Sequence, residues 1–194
     1  PEKPIPFALS DTEQSQLEEW RRLRGKQTDD RGALVAAARA YDALWRRAQV
    51  DTAAEVALWM AASARRILER VGETPEALRD LSVSLSKVGD TDHALGAFEQ
   101  ARAAYEESLD IRRRILERVG ETPEALRDLS VSLNKVGDTD RALGALEQAR
   151  AVFTEGLEIA ERLAAAMPNH ADYRHLPELF RRRPAELDNA AEAP

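Results

Sequence analysis

The chain of 194 residues is long enough for one domain with a sizeable core, or for an elongated stack of modules in which each unit contacts only its neighbours. Its formal net charge of -7 disfavours general binding to nucleic-acid backbones, and the lack of cysteine excludes a disulfide framework, a zinc knuckle and a thiol nucleophile. No apolar run approaches the roughly 18 residues of a membrane span. We therefore expect neither nucleic acid nor a membrane as partner, and a reducing compartment such as the cytoplasm.

The two ends of the chain carry no clear helical pattern. Residues 1–10 contain three prolines and are predicted to form a linker, and residues 184–194 are predicted to form a flexible tail. The N-terminal stretch PEKPIPFALS lacks an initiator Met and the charged-then-apolar order of a secretory signal. We expect the chain to be a piece of a longer protein or the product of processing.

Between the ends, a composition dominated by Ala, Leu, Glu and Arg favours helix almost everywhere. The stretch RILERVGETPEALRDLSVSL begins at Arg66 and again at Arg114, which sets a repeat period of 48 residues. Each copy contains a helix boundary made of a glycine suited to a left-handed end, a threonine N-cap and a proline suited to the first helical position. These residues are Gly72, Thr74 and Pro75 in the first copy and Gly120, Thr122 and Pro123 in the second.

Each 48-residue unit has two candidate turn positions, Gly96 with its twin Gly144, or Gly89 with its twin Gly137. One period upstream, Asp51 and Thr52 have the character of an N-cap, which favours the first pair. We therefore predict turns near 49–52, 96–99 and 144–147. The resulting helical repeat domain, residues 11–183, has a leading helix at 11–25, hairpins at 31–71, 75–119 and 123–167, and a last helix at 171–182.

Apolar residues at three- and four-residue spacing predict the core. The stripe of one first helix is Leu78, Leu81, Leu85, Val88 and Leu95, and the second helices contribute Ala101, Tyr105, Leu109, Ile115, Leu116 and Val119, with Ala149, Phe153, Leu157 and Leu163 in the next unit. Asp92 also lies on the first stripe, and its burial without a partner would move the turn to Gly89. Trp20, Trp45 and Trp59 are predicted to form core between the leading helix and the first hairpin.

The pattern of a bulky residue, an apolar-glycine pair, a turn glycine, an alanine and an aromatic resembles the tetratricopeptide repeat. Its members here are Leu85, Val88, Gly89, Gly96, Ala101 and Tyr105, with the twins Leu133, Val136, Gly137, Gly144, Ala149 and Phe153. Each unit is about 14 residues longer than the common repeat of about 34, and the stretch YEESLDIRRRI is similar to long-helix, kinesin-light-chain-like variants. The resemblance is close over 75–167 and looser over 31–71, which lacks the glycines and the aromatic. It implies an all-α fold, a right-handed α-solenoid of about three antiparallel helix hairpins with flanking capping helices.

The resemblance also implies a function, because the family binds proteins or peptides along a concave face lined by the first helix of each hairpin. The positions carried over are Arg79, Ser86, Lys87, Asp90, His93, Arg127, Asn134, Lys135, Asp138 and Arg141. We expect Arg79, Lys87, Arg127 and Lys135 to be exposed. Residues 65–103 differ from their twins only at Ser86/Asn134, His93/Arg141 and Phe98/Leu146. These differences indicate either drift of a solvent-exposed surface or a face tuned to different parts of a partner.

No residues of the sequence predict catalysis or a cofactor. His170, Asp172 and His175 could be metal ligands, but a spacing of five on a helix turns the two imidazoles apart, which favours a capping or surface role. The arginine runs at 112–114 and 181–183 are interpreted as solvated faces. We therefore predict a noncatalytic scaffold, with self-association as a homo-oligomer or regulation by a small ligand as the alternatives.

Overall fold

A computed structural model describes residues 8–25 and 30–191, and within these residues every regular element is a helix. The helices are α1 (Asp11–Arg24), α2 (Arg31–Arg46), α3 (Val50–Val71), α4 (Pro75–Ala94), α5 (Phe98–Val119), α6 (Pro123–Ala142), α7 (Leu146–Ala166) and α8 (Ala171–Ala191). They divide into two compact units, one up to Ala97 and the other from Phe98 onward. The all-α class of helix hairpins predicted from the sequence is confirmed. The predicted hairpin 75–119 draws one helix from each unit, and its packing stays a prediction.

The helices begin where side chains satisfy the first backbone N–H groups. At α4 the Thr74 hydroxyl accepts from the backbone N–H of Ala77 at 3.1 Å, and its twin Thr122 repeats this bond to Ala125 at 3.2 Å. At α1 the cap is reciprocal, because the Ser10 hydroxyl accepts from the Glu13 backbone while the Glu13 carboxylate accepts from the Ser10 backbone. These bonds and Arg47 hold the pKa of Glu13 below its usual value. Residues 1–7 of the predicted linker lie outside the described residues.

The turn between α4 and α5 contains Gly96 and the turn between α6 and α7 contains Gly144, with φ of 77° and 73°. Gly89 and Gly137 lie inside α4 and α6, so the alternative turn positions are wrong. The turn between α2 and α3 has Ala48 at the equivalent position, with φ of 54°. Of these three turns, this one lacks glycine, so the backbone of an alanine adopts the left-handed conformation there.

In the first unit, α2 packs between α1 and α3, and α3 packs on α4. Trp20 is almost fully buried, as expected for core between the leading helix and the first hairpin. Trp45 is 39% exposed, and its ring stacks on Tyr41 with centroids 5.8 Å apart. The prediction that Trp45 is core is wrong, because it lies near the C-terminal end of α2 on the exposed side of the helix.

The predicted stripe of α4 is buried from Leu78 to Val88, but Leu95 is 50% exposed because it is the C-cap of the helix rather than part of the stripe. Asp92 is only partly buried, and burial raises its pKa. The turn nevertheless lies at Gly96, so a half-buried carboxylate is tolerated inside the helix.

In the second unit, α6 packs between α5 and α7, and α7 packs on α8. Its buried residues form two clusters. One contains Ala101, Tyr105, Leu109, Leu126, Leu129, Leu133, Val136, Ile159 and Leu163, and the other contains Ala149, Phe153, Ala160, Phe180 and Leu187. A Cβ at Gly137 would overlap the ring of Phe153, so this glycine allows α6 and α7 to approach closely.

Helix α8 continues to Ala191, past its predicted end at residue 182 and into the predicted tail. A proline such as Pro184 normally ends a helix, because proline lacks an N–H and its ring clashes with the preceding turn. Beyond it, however, Leu187 is fully buried in the cluster with Phe180 and Phe153. Tertiary packing on both sides of the proline therefore stabilises the longer helix.

Candidate binding face of the first helices

The helices α2, α4 and α6 share one register at the 48-residue period, and each has a row of side chains spaced by four and three residues along one face. We call this row the first-helix stripe. It consists of Arg31, Val35, Ala38, Asp42 and Trp45 on α2, of Arg79, Val83, Ser86, Asp90 and His93 on α4, and of Arg127, Val131, Asn134, Asp138 and Arg141 on α6. Eight of the ten predicted site residues belong to it, and the other two, Lys87 and Lys135, flank it. Sequence reasoning missed the valines and the whole α2 row, although stepping back 48 residues from each α4 position would have found the latter.

The stripe exposes apolar side chains among polar ones. Val35 is 48% exposed and Val131 is 45% exposed, and Val83 occupies the same register position on α4. An arginine precedes each of these valines by four residues, one turn closer to the helix N-terminus. The three first helices thus present the same pair, a guanidinium followed by a valine that is about half exposed on α2 and α6 and partly buried on α4.

In the first unit this face contains a cleft of about 480 Å³ between α2 and α4. Val35, Ala38 and Val83 line its walls, and Met60 of α3 contributes a nearly buried side chain. Arg31 crosses from α2 to α4 and donates to both carboxylate oxygens of Asp80, at 2.7 and 3.2 Å. The cleft is thus apolar inside, with charged groups on its lining.

Lys87 fixes α4 to α2. Its ammonium lies 2.6 Å from Asp42 Oδ1 and 4.0 Å from the centroid of the Tyr41 ring, and its side chain is only 17% exposed. The Tyr41 hydroxyl donates to the Lys87 carbonyl, and burial, with the charges of Asp90 and Asp42, raises the pKa of Tyr41. The expectation that Lys87 is exposed is wrong, because the tyrosine face and the aspartate together hold its side chain against the helix surface.

In the second unit, Arg183 of α8 has a similar place on α6. Its Nη2 lies 3.2 Å from both Asn134 Oδ1 and Asp138 Oδ2, and its guanidinium covers the Phe153 ring at 5.6 Å. Asn134 in turn donates to Asp138 at 3.0 Å. The interpretation of residues 181–183 as a solvated face is therefore wrong for Arg183, whose side chain is 17% exposed.

The cation of a first helix also covers the aromatic ring of the second helix before it. The Lys135 ammonium lies 5.3 Å from the centroid of the Tyr105 ring. One period later, the Arg183 guanidinium lies 5.6 Å from the centroid of the Phe153 ring. The arginine run at 112–114 is mixed as well, because Arg112 is largely buried and pairs with Asp128, whereas Arg113 is about half exposed. Among the predicted site residues, Lys87, Lys135, Asn134 and Asp138 thus contribute to packing between helices.

The remaining predicted positions are more open. Arg127 has a side chain 55% exposed and lies 3.3 Å from Asp128, Arg141 lies 3.4 Å from Asp138, and Ser86 and His93 are half-buried on α4. Arg79 lines the cleft of the first unit. These side chains are accessible to a partner, whereas the more enclosed ones stabilise the surface that carries them.

No group of three His, Asp or Glu side chains that could hold a metal ion occurs within residues 8–25 and 30–191. His170, one of the histidines considered as ligands, stacks on Tyr173 with ring centroids 3.9 Å apart. None of the helices in the described part of the chain is long and apolar enough to cross a membrane.

Comparison with known proteins supports the resemblance seen in the residues. The family model for the tetratricopeptide repeat matches residues 80–162. A de novo designed helical repeat protein of known crystal structure is 17% identical, covers 92% of this chain and 96% of its own, and superimposes with a TM-score of 0.39. No curated protein matches the chain.

The chain is therefore an all-α protein of helix hairpins that is similar to the tetratricopeptide repeat over residues 80–162. Repeats of this family generally mediate protein–protein interaction and generally act as noncatalytic scaffolds. The kinesin-light-chain-like character of the 48-residue unit stays a prediction.

Proposed function

We propose that this chain is a noncatalytic module that binds a protein or peptide segment along the first-helix stripe, the side that corresponds to the concave side of tetratricopeptide repeats. The observation that carries the proposal is the recurrence of an accessible valine one turn from an arginine on α2, α4 and α6, about half exposed on α2 and α6 and partly buried on α4. A solvated surface has no reason to keep an apolar side chain at the same position of three helices. A surface that is covered by a partner does have one.

The way in which the face is held supports the same proposal. Lys87 and Asp42 fix α4 to α2, and Arg183 with Asp138 fixes α8 to α6. Because these contacts hold the helices in place before any partner arrives, binding costs little ordering of the protein. Of the two variable positions of the stripe, His93/Arg141 then adjusts the two repeats to different parts of the partner, whereas Asn134 contacts Arg183 of α8.

The test is a twin charge reversal on the stripe. Arg79→Glu and Arg127→Glu change equivalent positions of α4 and α6 and leave Lys87 and Lys135, which support the packing, in place. The matched control is Arg70→Glu and Arg118→Glu, a second pair of twins that are exposed at the C-terminal ends of α3 and α5. Circular dichroism confirms that both variants keep the helical content of the wild type.

We expect wild type and control to retain the same protein from an extract of the source cell, and the stripe variant to lose it. Purified partner and isothermal titration calorimetry then give the loss of affinity, which we expect to be at least about tenfold. Equal retention by all three proteins contradicts a site on the stripe, and retention of nothing but further copies of the chain replaces it with self-association.

A further inference from the structure

A second cleft, of about 420 Å³, lies in the second unit away from the first-helix stripe. It is bounded by α5 and α7 and reaches the C-terminal half of α6. Leu109, Val136, Ala151 and Val152 form its apolar lining, and Asp140 of α6 also lines it. The position combines apolar walls with a carboxylate that is almost fully buried.

Asp140 is 1% exposed, and neither of its carboxylate oxygens accepts a well-aligned hydrogen bond. Arg102 Nε lies 2.7 Å from Oδ1, and the same nitrogen lies 3.1 Å from Glu106 Oε1. One guanidinium nitrogen is thus shared between two carboxylates, and Oδ2 of Asp140 has no donor. Burial raises the pKa of Asp140, although Arg102 acts in the opposite direction. A buried carboxylate with an unmet acceptor favours a ligand that brings a donor and a positive charge.

The remaining charges of the cleft are also unbalanced. Its lining includes the carboxylates of Glu106, Asp110 and Asp140 against the guanidiniums of Arg102 and Arg113. Arg113 is in addition neutralised from α7, because it donates to Glu155 at 2.7 Å. The electrostatic potential inside the cleft is therefore negative, so the cleft attracts cations and repels anions.

Two of these carboxylates, Glu106 and Asp110, have no acidic counterpart in the first unit. One period upstream, Ala54 stands in place of Arg102, Leu58 in place of Glu106 and Ala62 in place of Asp110. The second helices α3 and α5 thus differ at three positions that line this cleft, whereas the aspartate on the helix that follows is kept as Asp92. The acidic lining of this cleft is therefore a feature of the second unit and not of the repeat in general.

We propose that this cleft binds a small organic amine. Its ammonium group donates to Asp140 Oδ2 at the inner end, its alkyl chain lies on Leu109, Val136 and Val152, and a second cationic group at the mouth meets Glu106 and Asp110. An alkyl diamine has this combination of charge and length. The ammonium supplies the donor that Asp140 Oδ2 lacks, and it adds a second positive charge to a buried carboxylate that shares Arg102 with Glu106.

The test uses the full chain and titration calorimetry with 1,5-diaminopentane as the probe. We expect one saturable site, and no binding of 1,5-pentanediol, which has the same length without charge. Asp140→Asn keeps the shape of the side chain and removes its charge, so we expect it to weaken binding by about tenfold or more. Asp92→Asn, the equivalent change in the first unit, is the matched control and leaves binding unchanged.

A second variant covers the case in which Asp140→Asn fails to fold. Glu106→Gln with Asp110→Asn changes only exposed carboxylates, and we expect several-fold weaker diamine binding with unchanged helical content. The amide of Nα-acetyl-lysine distinguishes the source of the ammonium, because its binding would assign the site to a lysine of another protein rather than to a free amine. Equal binding of the diol, undiminished binding by both variants, or the lack of a saturable site overturns the proposal.

Discussion

Ala48 is the residue at which the backbone departs most clearly from what its side chain favours. It has φ of 54°, where the equivalent turns have Gly96 and Gly144 with φ of 77° and 73°. For an L-residue other than glycine, the left-handed conformation costs about 1 kcal/mol. The first turn thus keeps the geometry of its twins without their glycine.

We predict that Ala48→Gly raises the free energy of unfolding by about 1 kcal/mol, because it removes this cost. Chemical denaturation followed by circular dichroism measures the change. Gly96→Ala and Gly144→Ala are the reverse controls and are expected to lower stability by a similar amount. A neutral or destabilising Ala48→Gly would show that the loop relaxes around alanine without strain.

Gly137 serves a different purpose from the turn glycines, since it lies inside α6 and its missing side chain makes room for the ring of Phe153. We predict that Gly137→Ala destabilises the protein by about 1–3 kcal/mol, despite the better helix propensity of alanine, because the added methyl overlaps the ring. The double variant with Phe153→Leu should recover part of the loss. Additive effects of the two changes in thermal denaturation would contradict the contact.

At the scale of the element, α3 with α4 and α5 with α6 are equivalent helix pairs, and they surround the equivalent aspartates Asp92 and Asp140 with different residues. Asp140 has Arg102 within 2.7 Å, but Asp92 has Ala54 at the position equivalent to the arginine. Burial alone raises the pKa of Asp92. The folded chain therefore holds the Asp92 proton more tightly than the unfolded chain, so the contribution of Asp92 to stability grows as the pH falls through its raised pKa toward the ordinary value.

We predict that Ala54→Arg introduces the missing partner and increases stability at neutral pH by about 0.5 kcal/mol, the size expected for a partly exposed pair. The arginine also lowers the pKa of Asp92, so the gain shrinks as the pH falls through the raised wild-type value. Denaturation curves between pH 7 and pH 4 measure both effects. Ala54→Lys and Ala54→Gln are the charge-matched and neutral controls, and a gain with glutamine would assign the effect to packing.

Most of the helix boundaries could be predicted from the sequence, because each boundary depends on residues close to it in the chain. The Thr74 and Thr122 caps and the Gly96 and Gly144 turns follow from residues next to the bond they make. The end of α8 could not be predicted, since the helix continues past Pro184 on account of Leu187, whose burial depends on α7. The low exposure of Lys87 could not be predicted for the same reason, because its aromatic partner Tyr41 is 46 residues away in the chain.

At the scale of the whole molecule, each of the two units has its own buried residues. The clusters around Leu133 and around Phe153 draw all their members from residues after Phe98. A core that is internal to a unit can form without the rest of the chain. The second unit thus meets the main condition for independent folding.

We predict that the isolated segment from Phe98 to Pro194 is helical and unfolds in a single cooperative thermal transition. Far-UV circular dichroism gives the helical content, and the same variant Gly137→Ala should lower its midpoint as in the full chain. A broad, noncooperative transition would mean that residues before Phe98 are needed to order the second unit.

The contact between Arg183 and Asn134 also bears on how a chain with duplicated segments packs each helix against the correct neighbour during folding. Helices α4 and α6 are nearly identical, so α8 could in principle join the wrong one during folding, a characteristic failure of repeat proteins. Asn134 offers an amide that accepts from Arg183 and donates to Asp138, whereas α4 has Ser86 at this position, whose short hydroxyl does not reach as far. One of the two substitutions that separate α4 from α6 therefore gives the last helix a means of distinguishing the correct neighbour from its copy.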